Sequence, residues 1–260
     1  MADQSQHVGT TIDGHIARVE LHRPPVNALN GELVGELTSV AAQLAAKSDV
    51  WIVVVTSGEK AFCAGADLKE RVGVPDSEVL TTVERIRAMT DAWFDLPQPL
   101  IMGVNGAALG GGLEFVLAGD ILAASELATL GFPEVGLGII PGAGGMPRIG
   151  RRASWGVAQK WVLTGERFSA LQAFEDGVVD YVFPAATFNE QLQELVKKIS
   201  AHAPMALRQA KKALRQHMAA AVGNEAAVDR DSYAPLVSSR DRKEALKAFV
   251  EKRPPKWQGS

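Results

Sequence analysis

The chain has 260 residues, 47% of them hydrophobic and 22% charged, with a net charge of −3 at pH 7. These values suit a globular protein with a sizeable core and argue against a nucleic-acid-binding protein. No run of about 18 apolar residues marks a membrane span. Residues 1–9 are polar and lack an apolar signal region, and the single Cys63 admits no internal disulfide, so a cytoplasmic location is expected.

In chain order, residues 8–12 and 15–21 flank Asp13-Gly14. Ala17, Val19 and Leu21 alternate with Arg18, Glu20 and His22, the pattern of a hairpin with an Asp-Gly turn. Asn30 can cap a helix whose apolar positions Leu33, Leu37, Val40, Ala41 and Leu44 follow helical spacing. Residues 50–55 are apolar and largely β-branched, which predicts a strand buried on both faces and hence a parallel sheet. The alternation then recurs. A helix is expected over 78–96, stopped by Pro97, and a strand over 99–104. Gly110-Gly111-Gly112 opens a short helix over 113–118, followed by a strand over 121–124. Helices over 148–163 and 170–175, the latter capped by Ser169, precede a strand over 178–183. This order implies α/β architecture with right-handed crossovers.

After Pro184 only helices are expected, over 188–200, 205–221, 225–233 and 240–252, with a loose tail at 254–260. A boundary is therefore placed near residue 200, between an α/β core (1–200) and a helical appendage (201–260) that packs on the core or on another subunit. From residue 201 onward 12 Lys/Arg stand against 6 Asp/Glu, which leaves −9 for the first 200 residues. Solvated helix faces and inter-subunit pairs account for this asymmetry; a basic end facing an anionic ligand is the alternative.

Several familiar chemistries find no support. The five histidines lie far apart and no H-E-x-x-H occurs, so no metal site is expected. A P-loop and a G-x-S-x-G elbow are also missing. Ser57-Gly58-Glu59-Lys60 matches S-x-x-K without its companion motifs and reads as a turn at a strand end. Cys63 reads as a small buried thiol.

Three segments carry chemistry together. Ala61-Phe62-Cys63-Ala64-Gly65-Ala66-Asp67-Leu68-Lys69 follows a buried strand, where open α/β folds place ligands. Its small residues at 63–66 let a ligand approach the backbone, and Asp67 can cap the turn. In Val104-Asn105-Gly106-Ala107-Ala108-Leu109-Gly110-Gly111-Gly112-Leu113-Glu114 a strand runs into a glycine cluster that opens a helix. The free N–H groups of a helix start are donors for an oxyanion, and Glu114 lies in that first turn. In Leu130-Gly131-Phe132-Pro133-Glu134-Val135-Gly136-Leu137-Gly138-Ile139-Ile140-Pro141-Gly142 one carboxylate stands in an apolar, glycine-rich stretch. Burial there would raise its pKa and suit it to proton transfer near neutrality. Taken alone, Glu134 reads more readily as a structural loop residue, and the glycines read equally as aids to tight packing.

In this order and spacing the three segments resemble the enoyl-CoA hydratase/isomerase (crotonase) superfamily. The resemblance begins at Arg23-Pro24-Pro25-Val26-Asn27-Ala28-Leu29-Asn30, resumes at Leu163-Thr164-Gly165 and ends near Ala248-Phe249-Val250-Glu251-Lys252-Arg253. It implies an α/β fold, a spiral of β-β-α units with a C-terminal helical trimerisation region, and a homo-oligomer, either a trimer or a hexamer built as a dimer of trimers. It implies that the amides of Ala66 and Gly111 form an oxyanion hole for a thioester carbonyl. Ala64, Asp67, Leu68 and Lys69 would contact the substrate or its coenzyme A, and Glu114 and Glu134 would be the acid/base pair. No separate cofactor is implied, coenzyme A being part of the acyl-CoA substrate; no metal, nucleic acid or membrane is implied either. Hydration of a trans-2-enoyl-CoA is the activity expected, because both glutamates are present. A Δ3-Δ2-enoyl-CoA isomerase and a weakly active CoA-ester binding protein are the alternatives. Gly144-Gly145-Met146-Pro147-Arg148-Ile149 stands where the family commonly has Gly-Gly-Thr-Gln-Arg-Leu, which puts the local helix start in question and makes a reshaped acyl pocket an expectation.

Overall fold

The computed structural model describes residues 7–219 and 239–260. The expected helix over 225–233 lies outside the described residues. The chain opens with β1 (Val8–Asp13) and β2 (Ile16–Leu21), which pair antiparallel with Asp13 opposite Ile16, so the turn is centred on Gly14-His15, one residue later than the Asp-Gly reading. Gly14 takes a φ of +55°, a conformation that costs glycine little. Asn30 accepts from the Leu33 amide and caps α1 (Gly31–Ala45), and all five apolar positions of its stripe are buried.

β3 (Ile52–Ser57) runs parallel to β2. Side chains alternate across a strand. Ile52 and Val54 therefore pack with Phe188, Leu192 and Val196, while Val53 and Val55 join the main core on the other face. After α2 (Leu68–Arg71) and α3 (Asp76–Phe94) come β4 (Leu100–Val104), β5 (Ala108–Leu109), α4 (Gly111–Val116), β6 (Ile121–Ser125) and β7 (Thr129–Gly131). A 3-10 turn, Pro133–Leu137, follows.

The single helix expected over 148–163 is two, α5 (Gly145–Arg152) and α6 (Trp155–Thr164). Ala153 turns extended between them, and Ser154 caps the second by accepting from Val157 N–H. β8 (Arg167–Ser169), α7 (Ala170–Glu175) and β9 (Tyr181–Phe183) complete the α/β part. β1-β2-β3-β4-β6-β9 form a six-stranded sheet, parallel except for the first pair, and β5-β7-β8 a three-stranded one.

The helices α8 (Phe188–Ser200), α9 (Pro204–Ala219) and α10 (Arg240–Glu251) follow. α9 is fastened to the sheet side by buried polar contacts. Lys211 Nζ lies 2.5 Å from Asp120 Oδ2 and 2.7 Å from the Gln98 carbonyl, and Arg208 donates to the Val50 carbonyl at 2.6 Å. The tail is pinned rather than loose. Trp257 Nε1 donates to the Ala201 carbonyl, the amides of Gln258 and Gly259 donate to Asp241, and the Ser260 carbonyl accepts from the Arg240 amide. Among the described residues no helix is long and apolar enough to cross a membrane.

Candidate active site

The site is built where the two sheets are stitched together. The segment 63–66 lies between them, with Ala66 bridged to Leu29 and Cys63 bridged to Ala108. Its backbone bonds are consumed in pairs: Cys63 N–H to the Ala107 carbonyl, Leu109 N–H to the Cys63 carbonyl, and Leu29 N–H to the Gly65 carbonyl. The packing is so close that glycine is required. A Cβ on Gly112 would stand 2.1 Å from the Cys63 carbonyl oxygen, and one on Gly65, whose φ is +90°, would stand 2.6 Å from that of Leu109. This contact brings two backbone amides together, since a Cβ on Gly111 would be 3.7 Å from Ala66 N. Among the described residues neither the Ala66 nor the Gly111 N–H donates to any protein acceptor. A donor left unclaimed at a helix start is available to a ligand.

Both amides line a cavity of about 600 Å³ that also contains Glu114 and Glu134. Glu114, 3% exposed, presents Oε1 to the amides of Ala143 (2.7 Å) and Gly145 (2.9 Å). Burial pushes its carboxyl pKa up, against those two amides and the more distant Arg148. The Ala143 peptide is held from behind. Its carbonyl accepts from Thr90 Oγ1 at 2.6 Å and from Arg148 at 3.2 Å, and Arg148 pairs with Asp91 at 2.5 Å.

Glu134, 8% exposed, projects from the 3-10 turn beside Gly110. A Cβ on Gly110, whose φ is +54°, would stand 2.9 Å from Glu134 Oε1, so glycine is required here too. The buried Oε2 of Glu134 has no hydrogen-bond partner. Burial pushes this carboxyl up to about 7; the charge of Glu114 adds to the rise, and Arg71 opposes it. Two neighbouring carboxyls in low dielectric resist holding two negative charges.

Of the other anticipated positions, Ala64 and Leu68 line the cavity, while Asp67 and Lys69 do not. Asp67 is spent on structure. It caps α2 by accepting from the Lys69 and Glu70 amides and pairs with Arg23 at 3.0 Å. Burial pushes its pKa up, but those hydrogen bonds and the guanidinium outweigh this and hold it below the usual value. Lys69 is exposed on α2. Cys63 is inert, with its thiol donating to the Asn27 carbonyl and burial pushing its pKa to about 12.

The departure at Met146-Pro147 lies outside the cavity lining. The helix α5 still starts at Gly145, and Pro147 sits in the first turn, where a missing N–H costs nothing. Sequence reasoning passed over Ala143 and Gly145 as the grip on Glu114. The glycines of Gly142-Ala143-Gly144-Gly145, just ahead of a helix, were the available signal. It also passed over Arg71 and Arg167, which line the cavity and carry no motif.

The Enoyl-CoA hydratase/isomerase family model matches residues 11–260. The chain belongs to this family. It is 41% identical over 255 residues, 96% of its length, to YngF of Bacillus subtilis (strain 168), a protein named for both hydratase and isomerase activity and covered over 97% of its own length. It is 38% identical over 243 residues to the 2,3-dehydroadipyl-CoA hydratase of Escherichia coli (strain K12), covering 92% of this chain and 93% of that one. The crystal structure of an enoyl-CoA hydratase from Bacillus anthracis superposes with a TM-score of 0.95 at 38% identity, over 98% of this chain and all of that one. The fold is therefore that of the enoyl-CoA hydratase/isomerase family.

Proposed function

We propose that the protein hydrates trans-2-enoyl-CoA thioesters. The observation that carries this reading is the pair of unclaimed amides, Ala66 and Gly111, in one cavity with two buried carboxyls. Water addition to an α,β-unsaturated thioester puts negative charge on the carbonyl oxygen. Two fixed amide donors stabilise that charge, each worth roughly 3–4 kcal/mol by comparison with other oxyanion holes.

The two glutamates divide the proton traffic. Glu114, with Oε1 held by two amides, keeps Oε2 to orient water and take its proton as oxygen attacks the β-carbon. Glu134, pushed up to about 7 and so partly protonated at neutrality, and with an unpartnered Oε2, gives a proton to the α-carbon as the enolate collapses. A water-mediated transfer from Glu114 to Glu134 resets the pair. The reaction written this way needs no metal or organic cofactor beyond the coenzyme A carried by the substrate. Hydratase names among relatives at 34–41% identity support the assignment.

An isomerase needs one base to carry a proton between the α- and γ-carbons, which Glu134 alone could do. The second carboxyl, built into the cavity with two dedicated amides, favours hydration. Purified protein given crotonyl-CoA should remove the enoyl-thioester absorbance and form the 3-hydroxyacyl product. A protein inert toward 2-enoyl substrates that isomerises a 3-enoyl-CoA would reverse the assignment. We further propose that the C-terminal helices beyond residue 200 mediate trimer formation; light scattering that returns a monomer would remove that part.

A further inference from the structure

We infer that the preferred substrates carry a carboxylate on the acyl chain a short distance beyond the double bond, held by Arg71, with Arg167 lining the same cavity. This rests on the hydratase reading and narrows its substrate class. The cavity is walled in part by Val83, Ile86, Leu137 and Ile140, as a hydrocarbon tail requires. Two guanidinium-bearing residues also line it, Arg71 at the end of α2 and Arg167 on β8. Among the described residues neither side chain makes an ion pair or a hydrogen bond. Arg148, Arg152 and Lys211, by contrast, are committed to Asp91, Asp180 and Asp120.

A purely hydrocarbon tail would strip water from an unpaired guanidinium and return nothing for it. A carboxylate restores the lost hydration with a charge-assisted, two-pronged pair. The placement also sets the chain length. Arg71 ends the one-turn helix that starts two residues after Ala66, and it lines the same cavity as the Ala66 and Gly111 amides and Glu134, so the carboxylate it meets belongs only a few bonds from the double bond. Glutaconyl-CoA, which is crotonyl-CoA with a carboxylate on its γ-carbon, is the direct probe.

Two other duties for Arg71 predict different results. If it only adjusts Glu134, or only meets coenzyme A phosphates, its loss must affect both substrates equally. The experiment compares kcat/KM for glutaconyl-CoA and crotonyl-CoA in wild type, Arg71→Met and Arg71→Lys. Wild type should prefer glutaconyl-CoA by at least about tenfold. The ratio should fall about 10- to 100-fold in Arg71→Met, the range of a lost charged hydrogen bond, and to an intermediate degree in Arg71→Lys. Binding of the saturated pair, glutaryl-CoA and butyryl-CoA, should show the same ranking without turnover. An unchanged ratio in Arg71→Met, or no wild-type preference in either turnover or binding, overturns the inference and leaves the hydratase reading intact. Preferential glutaryl-CoA binding that depends on Arg71, in a protein inert toward both enoyl thioesters, sinks the hydratase reading and keeps the carboxylate site.

Discussion

Glu134 shows how a residue that looks dispensable in sequence becomes chemically poised. Alone, it was one acid in a glycine-rich loop. In the fold its Oε2 is buried without a partner, beside a second carboxyl, and its pKa rises to about 7. As the proposed proton donor it must be protonated, so kcat should decline as pH rises through about 7, and a pH–rate profile checks this. The same shift bears on stability. A carboxyl whose folded pKa exceeds its unfolded value binds more protons in the native state, so stability falls as pH rises from about 4.5 to about 7. Glu134→Gln should therefore melt at a higher temperature than wild type at pH 8, and the difference should shrink below pH 5; thermal melts at both pH values decide it. Gly110 is its silent partner. Gly110→Ala would force a Cβ to 2.9 Å from Glu134 Oε1 in a left-handed conformation. Activity should drop by at least about 10-fold, in line with small misplacements of catalytic groups, and steady-state kinetics on a folded variant would show it.

Among the elements, the long signals were readable and the short ones were not. The β-branched run of β3 and the apolar stripe of α1 announce themselves over many residues, and Asn30 and Ser169 cap where expected. β5, β7 and β8 span two or three residues, too few for any period to register, and they exist because they pair with each other. The α5–α6 break was missed because the apolar spacing runs on through Ala153, although Ser154 was a legible cap. The glycines at 142–145 hinted at a free helix start, but not that it would grip Glu114, since Ala143 and Gly145 reach it across 29 and 31 positions of chain. Behind that grip stands Arg148. Arg148→Met removes a donor from the Ala143 carbonyl and the partner of Asp91. It should cost about 2 kcal/mol of stability, within the range for charged hydrogen bonds, and lower kcat more than it raises KM; denaturant melts and initial rates test the two halves separately.

At the scale of the whole molecule, two sheets meet at a seam of glycines, and the seam is the site. The proposed oxyanion donors come from the segments after β3 and β5, while the two carboxyls come from α4 and the turn after β7. Family resemblance across the chain made this convergence expected, but composition and periodicity alone left each segment ambiguous. α9 is anchored to the same body through Lys211, whose pKa burial lowers to about 8 despite Asp120. The central claim is that Glu114 and Glu134 together hydrate an enoyl thioester held by the Ala66 and Gly111 amides. Its most direct test is kcat for crotonyl-CoA hydration by wild type, Glu114→Gln and Glu134→Gln. The account predicts turnover by wild type and a loss of at least about 100-fold in each variant, the scale of general acid–base catalysis. Undiminished turnover in either variant would contradict it.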